Sequence, residues 1–234
     1  MIPLAVREPG LPDGVVAIPV RTRLVGPGDD LVALAGAAIA GIARPGDVVV
    51  IAETAVAIAQ RRFVPAEFVR PSKLAFALAR RAGALATVNQ PESLQIVIDQ
   101  VGAPRVLFAT LAHVAGRLVG RRGVFYAILG EAIAAIDGYT GTLPPYERAI
   151  VFGPAEPDRV CAELAAALGC GFAIVDANDL RRAKVLGASA GVARSAVETA
   201  LLANPHGNGD EQTPLVVLTW RGTGPSPLLA AAAA

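Results

Sequence analysis

The chain has 234 residues, Lys+Arg 21 against Asp+Glu 20, a formal net charge of +1, 53% hydrophobic residues and a mean hydropathy of +0.51. That length supports one domain over residues 1–222, or two intimately joined lobes, around a full core. The near-neutral balance argues against wholesale nucleic-acid binding, and no apolar run reaches the ~18 residues of a membrane span.

Residues 1–12 carry Arg7, Glu8 and three prolines in place of a basic start and an apolar block, so no signal peptide is expected and the setting reads as cytoplasmic. Val15–Val20 is the first strand candidate, and Gly28-Asp29-Asp30 opens a helix over residues 31–42 with Asp29 as its N-cap. After the turn Pro45-Gly46-Asp47 comes the β-branched run Val48–Ala52, a buried strand. Residues 71–82 and Pro91–Val101 read as helices, each with Pro at or before the first turn and Gly (Gly83, Gly102) beyond the end. Residues 105–110 read as a strand, and residues 111–136, rich in Ala and Gly, fit helix and strand equally well.

Residues 148–152 read as a strand, Pro157–Leu168 as a helix closed by Gly169, and residues 172–175 as a strand. Residues 194–203 are expected to be helical, Leu215–Trp220 forms the last strand, and residues 223–234 read as a flexible tail. This mixture of helices and strands lacks a regular βαβ rhythm, and no G-x-G-x-x-G follows a strand, which leaves an α+β (mixed α/β) class. The two cysteines, Cys161 and Cys170, have no metal-ligand partners at suitable spacing and read as small apolar fillers held as thiols.

Three acidic clusters sit at the ends of apolar runs: Ile136-Asp137-Gly138, Val175-Asp176-Ala177-Asn178-Asp179, and the turn Asn208–Glu211 within Asn204-Pro-His-Gly-Asn-Gly-Asp-Glu-Gln-Thr-Pro214. Each alone fits a turn or helix cap. Together, carboxylates at strand ends with no His or Cys among them suit hard cations such as Mg²⁺ or Mn²⁺, and hence phosphate handling. The Gly- and Pro-rich loop 204–214 is either a solvated turn or a cation or phosphate clamp. His113 reads as a core or helix-face residue, and His206 alone makes no metal set. Neither a G-x-S-x-G elbow nor a Walker A pattern is present.

In order, Gly28-Asp29-Asp30-Leu31, Pro45-Gly46-Asp47-Val48-Val49-Val50, Ala135-Ile136-Asp137-Gly138, Ile174-Val175-Asp176-Ala177-Asn178 and the loop 207–214 before Val216-Val217-Leu218 resemble the coenzyme F420-0:γ-glutamyl ligases. The resemblance spans residues 15–222. It implies an intertwined, two-lobed homodimer that joins glutamate to a phosphorylated coenzyme precursor with GTP and two divalent cations. By position it makes Asp137, Asp176 and Asn208 metal ligands. Thr140, Gly207, Gly209, Asp210, Glu211, Gln212 and Thr213 become cofactor-binding, and no catalytic residue is assigned. Ala57-Ile58 stands where the family carries Ser-Lys, so one charge-assisted phosphate contact worth ~1.5–3 kcal/mol is missing.

Three readings follow: a GTP- and metal-dependent amide ligase acting on a small molecule, a divergent binder of a divalent metal and small ligand without GTP, and a non-catalytic dimeric protein. If GTP is lost, Ile58→Lys is expected to raise nucleotide affinity. If GTP is kept, Arg61, Arg62 or Lys73 stands in for the missing lysine and the same substitution lowers it.

Overall fold

The computed structural model describes residues 11–82, 89–138, 143–207 and 210–230. Its strands are β1 (Val15–Val20), β2 (Val48–Ala52), β3 (Phe63–Pro65), β4 (Ala149–Val151), β5 (Gly171–Asn178), β6 (Arg182–Ala188) and β7 (Leu215–Trp220). Its helices are α1 (Leu31–Ile39), α2 (Glu53–Ala59), α3 (Lys73–Ala79), α4 (Pro91–Val101), α5 (Ala103–Leu118), α6 (Val124–Leu129), α7 (Glu131–Ala134), α8 (Pro157–Leu168) and α9 (Arg194–Ala200). The chain is mixed α/β and forms two compact units, residues 1–61 with 154–234, and residues 62–153.

The first unit is built on a five-stranded sheet of order β1-β7-β2-β5-β6, in which only β2 and β5 run parallel. The Val48-Val49-Val50-Ile51 run is buried on both faces, which places it at the centre of the sheet. Alternation of side chains divides the strands between two cores. On one face Val49, Ile51, Phe172, Ile174, Leu215 and Val217 pack with residues of α1, α2 and α8. On the other, Val48, Val50, Ala173, Val175, Val216 and Leu218 pack with Val197 and Ala200 of α9. Cys161 and Cys170 are buried free thiols, as their composition suggests, and burial raises the Cys161 pKa to about 12.

The edge strand β6 is absent from the sequence reading, because Arg182 and Lys184 interrupt its apolar alternation. Helix carboxylates cap its outward N–H groups. Val185 N donates to Glu198 Oε1 at 2.9 Å and Ala188 N to Asp158 Oδ1 at 2.9 Å, and Asp158 also pairs with Arg194. Such capping protects an open edge from pairing with another strand. Glu198→Ala should cost about 1–2 kcal/mol by stranding a half-buried donor, read as a lower urea midpoint, and Glu198→Gln should restore most of it.

At α1 the N-cap is Asp30 rather than Asp29. Asp30 Oδ1 accepts from Val32 N at 2.9 Å and Ala33 N at 3.1 Å. Asp29 instead accepts from Gly26 N at 2.7 Å and pairs with Arg23 at 2.6 Å, and Arg23 with that N–H holds its pKa below the usual carboxylate range. The helix ends at Ile39, short of residue 42, ahead of Gly41 with φ +74. The last described residues are not frayed: Ala193 N donates to Leu228 O at 2.9 Å, Ala230 N to Gly191 O at 2.7 Å, and Leu228 is fully buried.

The second unit packs α3–α7 with the antiparallel pair β3–β4. Residues 105–110, expected as a strand, lie inside α5. Gly102 at φ +83 redirects the chain out of α4, Pro104 occupies the first helical turn, and Val106, Ala109 and Gly116 recur on one buried face. The ambiguous residues 111–136 complete α5 and form α6 and α7. The core gathers Leu94, Val97, Val106, Phe125, Leu129 and Ile150. Helix α3 starts at Lys73, with Ser72 Oγ accepting from Ala75 N at 3.2 Å. Among the described residues no single helix is long and apolar enough to cross a membrane.

Candidate functional site

One end of the five-stranded sheet collects the expected site residues of the first unit. Ala52, the last residue of β2, is level with Val175 of β5, and Ile51 is level with Leu215 at the start of β7. Asp176 and the loop entering β7 therefore emerge at the same end of the sheet, two strands apart with β2 between them, and Ala52 N donates to Pro214 O at 2.9 Å, which seats the loop's exit on the sheet. Asp176 itself is not beyond the strand, as expected from the sequence, but inside it: β5 continues to Asn178, with Asp176 opposite Lys184. The strand is longer because β6 supplies a pairing partner for residues 175–178.

Burial against the sheet raises the Asp176 pKa, and the cation of Lys184 offsets only part of the shift. Its side chain still reaches solvent. A carboxylate deprived of some hydration yet open on one side is suited to gain a cation.

The loop is tied together from within. His206 is 8% exposed. Its Nδ1 lies 3.0 Å from Thr213 O, while Thr213 Oγ1 donates back to His206 O. The Nδ1 contact to a carbonyl oxygen requires the proton on Nδ1, leaving Nε2 as a buried acceptor with no hydrogen-bond partner among the described residues. Burial lowers the His206 pKa to about 4. Asn204, at φ +50, donates from Nδ2 to Asp179 Oδ1 at 2.8 Å and so joins the loop to the β5–β6 hairpin. Gln212, at φ +53, offers its carbonyl to Thr22 N at 3.0 Å. Gly207, at φ +73, lies under the Glu211 carboxyl, where a Cβ would come within 2.6 Å, while Asp210 and Glu211 remain exposed. His206, Asn204 and Asp179 are anchors the sequence reading did not assign. The Asn-Pro-His tripeptide was their only signal in the sequence.

His206 makes the loop acid-sensitive. Its folded pKa of about 4 lies below the ordinary 6.5, so between those values the unfolded chain binds a proton that the folded chain excludes. Stability should fall as pH drops, by about 2 kcal/mol at about pH 5. Urea midpoints across that range should show it, and His206→Gln should flatten the dependence.

In the second unit, Asp137 follows α7 and forms a two-bond bridge with Val151: Asp137 N to Val151 O at 2.8 Å and the reverse at 2.9 Å. Its side chain is exposed. The Gln90 amide lies against Gly138, where a Cβ would meet Oε1 at 2.0 Å, and buried Ser93 donates to that same Oε1 at 3.0 Å. A side chain after Asp137 would therefore have to displace the Gln90 amide from Ser93, a contact invisible in sequence because Gln90 and Gly138 are 48 positions apart. Thr140, Asn208 and Gly209 lie outside the described residues, as does Gly83. Among the described residues no three His, Cys, Asp or Glu side chains converge into a metal-binding group.

Ala57 and Ile58 are buried in α2 at 0% and 5% exposure. Of the cations near them in sequence, Arg61, at φ +60, lays its guanidinium over Gly28, 2.8 Å from where a Cβ would stand. Arg62 donates from Nε to Gly153 O at 2.6 Å.

The family model described as F420-0:Gamma-glutamyl ligase matches residues 19–210, more than three-quarters of the chain. The chain belongs to the F420-0:gamma-glutamyl ligase family. Membership supports γ-glutamyl ligase function. A search of curated proteins returned no match.

Proposed function

We propose that this γ-glutamyl ligase family member is a cytoplasmic homodimer that joins glutamate to a phosphorylated small acid, with divalent cations held by Asp137, Asp176 and Asn208. What carries the reading is that the partly desolvated Asp176 and the loop 204–214 emerge at the same end of one sheet, on either side of β2. A hard cation fits there, because an underhydrated carboxylate and loop oxygens supply the donors that Mg²⁺ or Mn²⁺ takes. When bound, the cation would neutralise phosphate charge as the amide forms. The chain's own part is positional: the Gln90 amide packs against Gly138 after Asp137, and the His206–Thr213 and Asn204–Asp179 bonds tie the two ends of the loop.

The residues fit GTP less well. Buried Ala57 and Ile58 offer phosphate no donor, and Arg61 already covers Gly28. This favours, as a second reading, a cation and small-ligand binder that has dropped GTP. Isothermal titration with Mn²⁺, GTP and ATP separates the two. Cation binding followed by metal-dependent GTP binding supports the ligase, and cation binding alone supports the second reading. No cation binding at millimolar Mn²⁺ overturns both.

A further inference from the structure

The phosphate chemistry of the reading above needs a cation that α2 does not supply. Ala57 and Ile58 are buried, Arg61 lies over Gly28, and Arg62 is bound to Gly153. The β5–β6 hairpin carries two other cations. Lys184 stands directly across from Asp176, and Arg182 across from Asn178. Side chains level with each other on neighbouring strands share a face, as do residues two apart on one strand. Asp176, Asn178, Arg182 and Lys184 therefore project together. Their side of the sheet is that of Ile174, which packs with Ala55, Val56 and Ala59 of α2. Both cations are exposed, and among the described residues the Arg182 guanidinium has no hydrogen bond or ion pair. The hairpin holds them in place. Asn178 Oδ1 accepts from Leu180 N at 3.0 Å, Arg181 turns the chain at φ +57, and Asp179 anchors the tip to Asn204 at 2.8 Å. Protection of an open edge would be served by a charge on either face of β6. Both cations fall instead on the face of Asp176.

We propose that Arg182 and Lys184 receive the phosphate group handled at this site, so that β6 supplies the positive charge α2 lacks. The proposal rests on the ligase reading and names the residues that bind its phosphate. Arg182 offers a planar fork that matches two phosphate oxygens, and Lys184 a compact point charge. Two positions apart on one strand, their backbones are roughly 7 Å apart, and both long side chains can close over one phosphate from that spacing. Lys184 also offsets the negative charge with which Asp176 would repel an incoming phosphate. The phosphate belongs either to a nucleoside triphosphate or to a phosphorylated small acid, and the same two donors serve both.

Titration calorimetry on the full chain tests this, comparing Arg182→Ala and Lys184→Gln with the unmodified protein. The titrants are GTP, phosphoglycolate and, separately, Mn²⁺ without phosphate, and urea midpoints confirm that each variant is folded. Each substitution should weaken phosphate binding about tenfold or more, the loss of one charge-assisted contact. Lys184→Gln should at the same time tighten Mn²⁺ binding, because it removes a positive charge level with Asp176. A loss with GTP assigns the nucleotide's phosphate to the two cations, and a loss with phosphoglycolate alone assigns that of the acid. Phosphate affinities that neither substitution lowers overturn the proposal and leave the ligase reading standing. So does a Lys184→Gln variant that binds Mn²⁺ more weakly, and so does an unmodified chain that binds neither GTP nor phosphoglycolate. A chain that ignores Mn²⁺ while its phosphate binding still depends on Arg182 overturns the ligase reading and keeps the two cations as a phosphate site.

Discussion

Asp176→Ala is expected to lower metal-dependent ligation about 100- to 1,000-fold while leaving the urea midpoint within experimental error. The functional loss follows from removing a charged metal ligand, and mutation of groups that stabilise transition-state charge typically costs ~10²–10³ in turnover. The stability forecast follows from place: Asp176 is on the solvent-reaching side of β5, and its raised pKa means that burial disfavours the charge it carries. Its partner across the sheet, Lys184, is level with it in the β5–β6 register. A structural role in that cross-strand pair predicts the opposite pattern, a small loss of stability and normal turnover. Product formation against Mn²⁺ concentration decides, because a ligand's loss also weakens the apparent metal affinity. Asp137→Ala should behave in the same way.

Ile58→Lys is expected to destabilise the protein by about 3–5 kcal/mol, because it places an uncompensated ammonium in the interior. Thermal unfolding should show a fall of several degrees or more, and any gain in nucleotide affinity should be masked by the unfolded fraction. The structure thereby corrects the simpler expectation that lysine at this position restores a phosphate contact. Ile58 is 5% exposed, and α2 buries Ala55, Val56, Ala57 and Ala59 with it. For a lysine here to reach phosphate, its stem would have to snorkel out past that packing. Ile58→Met, apolar and of similar volume, should cost less than about 1.5 kcal/mol. If Ile58→Lys instead proves as stable as the parent chain, α2 has room the structure does not show, and a nucleotide beside it becomes credible.

Elements whose signals are local are legible in the chain alone. Val48–Ala52 is an uninterrupted apolar run, and Leu215–Trp220 is apolar but for Thr219. Pro91–Val101 and Pro157–Leu168 are bracketed by an N-terminal Pro and a following Gly, and all four have the expected bounds. Ordered short motifs also identified the family, since glycines and carboxylates at turns keep their chemistry wherever the chain runs. What failed locally was decided by partners distant in sequence. Residues 105–110 carry β-forming side chains, yet Gly102, Pro104 and the core of the second unit make them helical. Asp176 lies inside β5 because β6, too charged to be recognised alone, pairs with it.

The candidate site divides in the same way. Its residue types were legible in sequence, whereas the register that brings Asp176 and the loop to one end of the sheet, the burial that keeps His206 neutral and the packing of the Gln90 amide on Gly138 were not. Hydrogen bonding and desolvation depend on what stands within a few ångströms in space. Residues 48 positions apart, such as Gln90 and Gly138, meet only when the chain has packed.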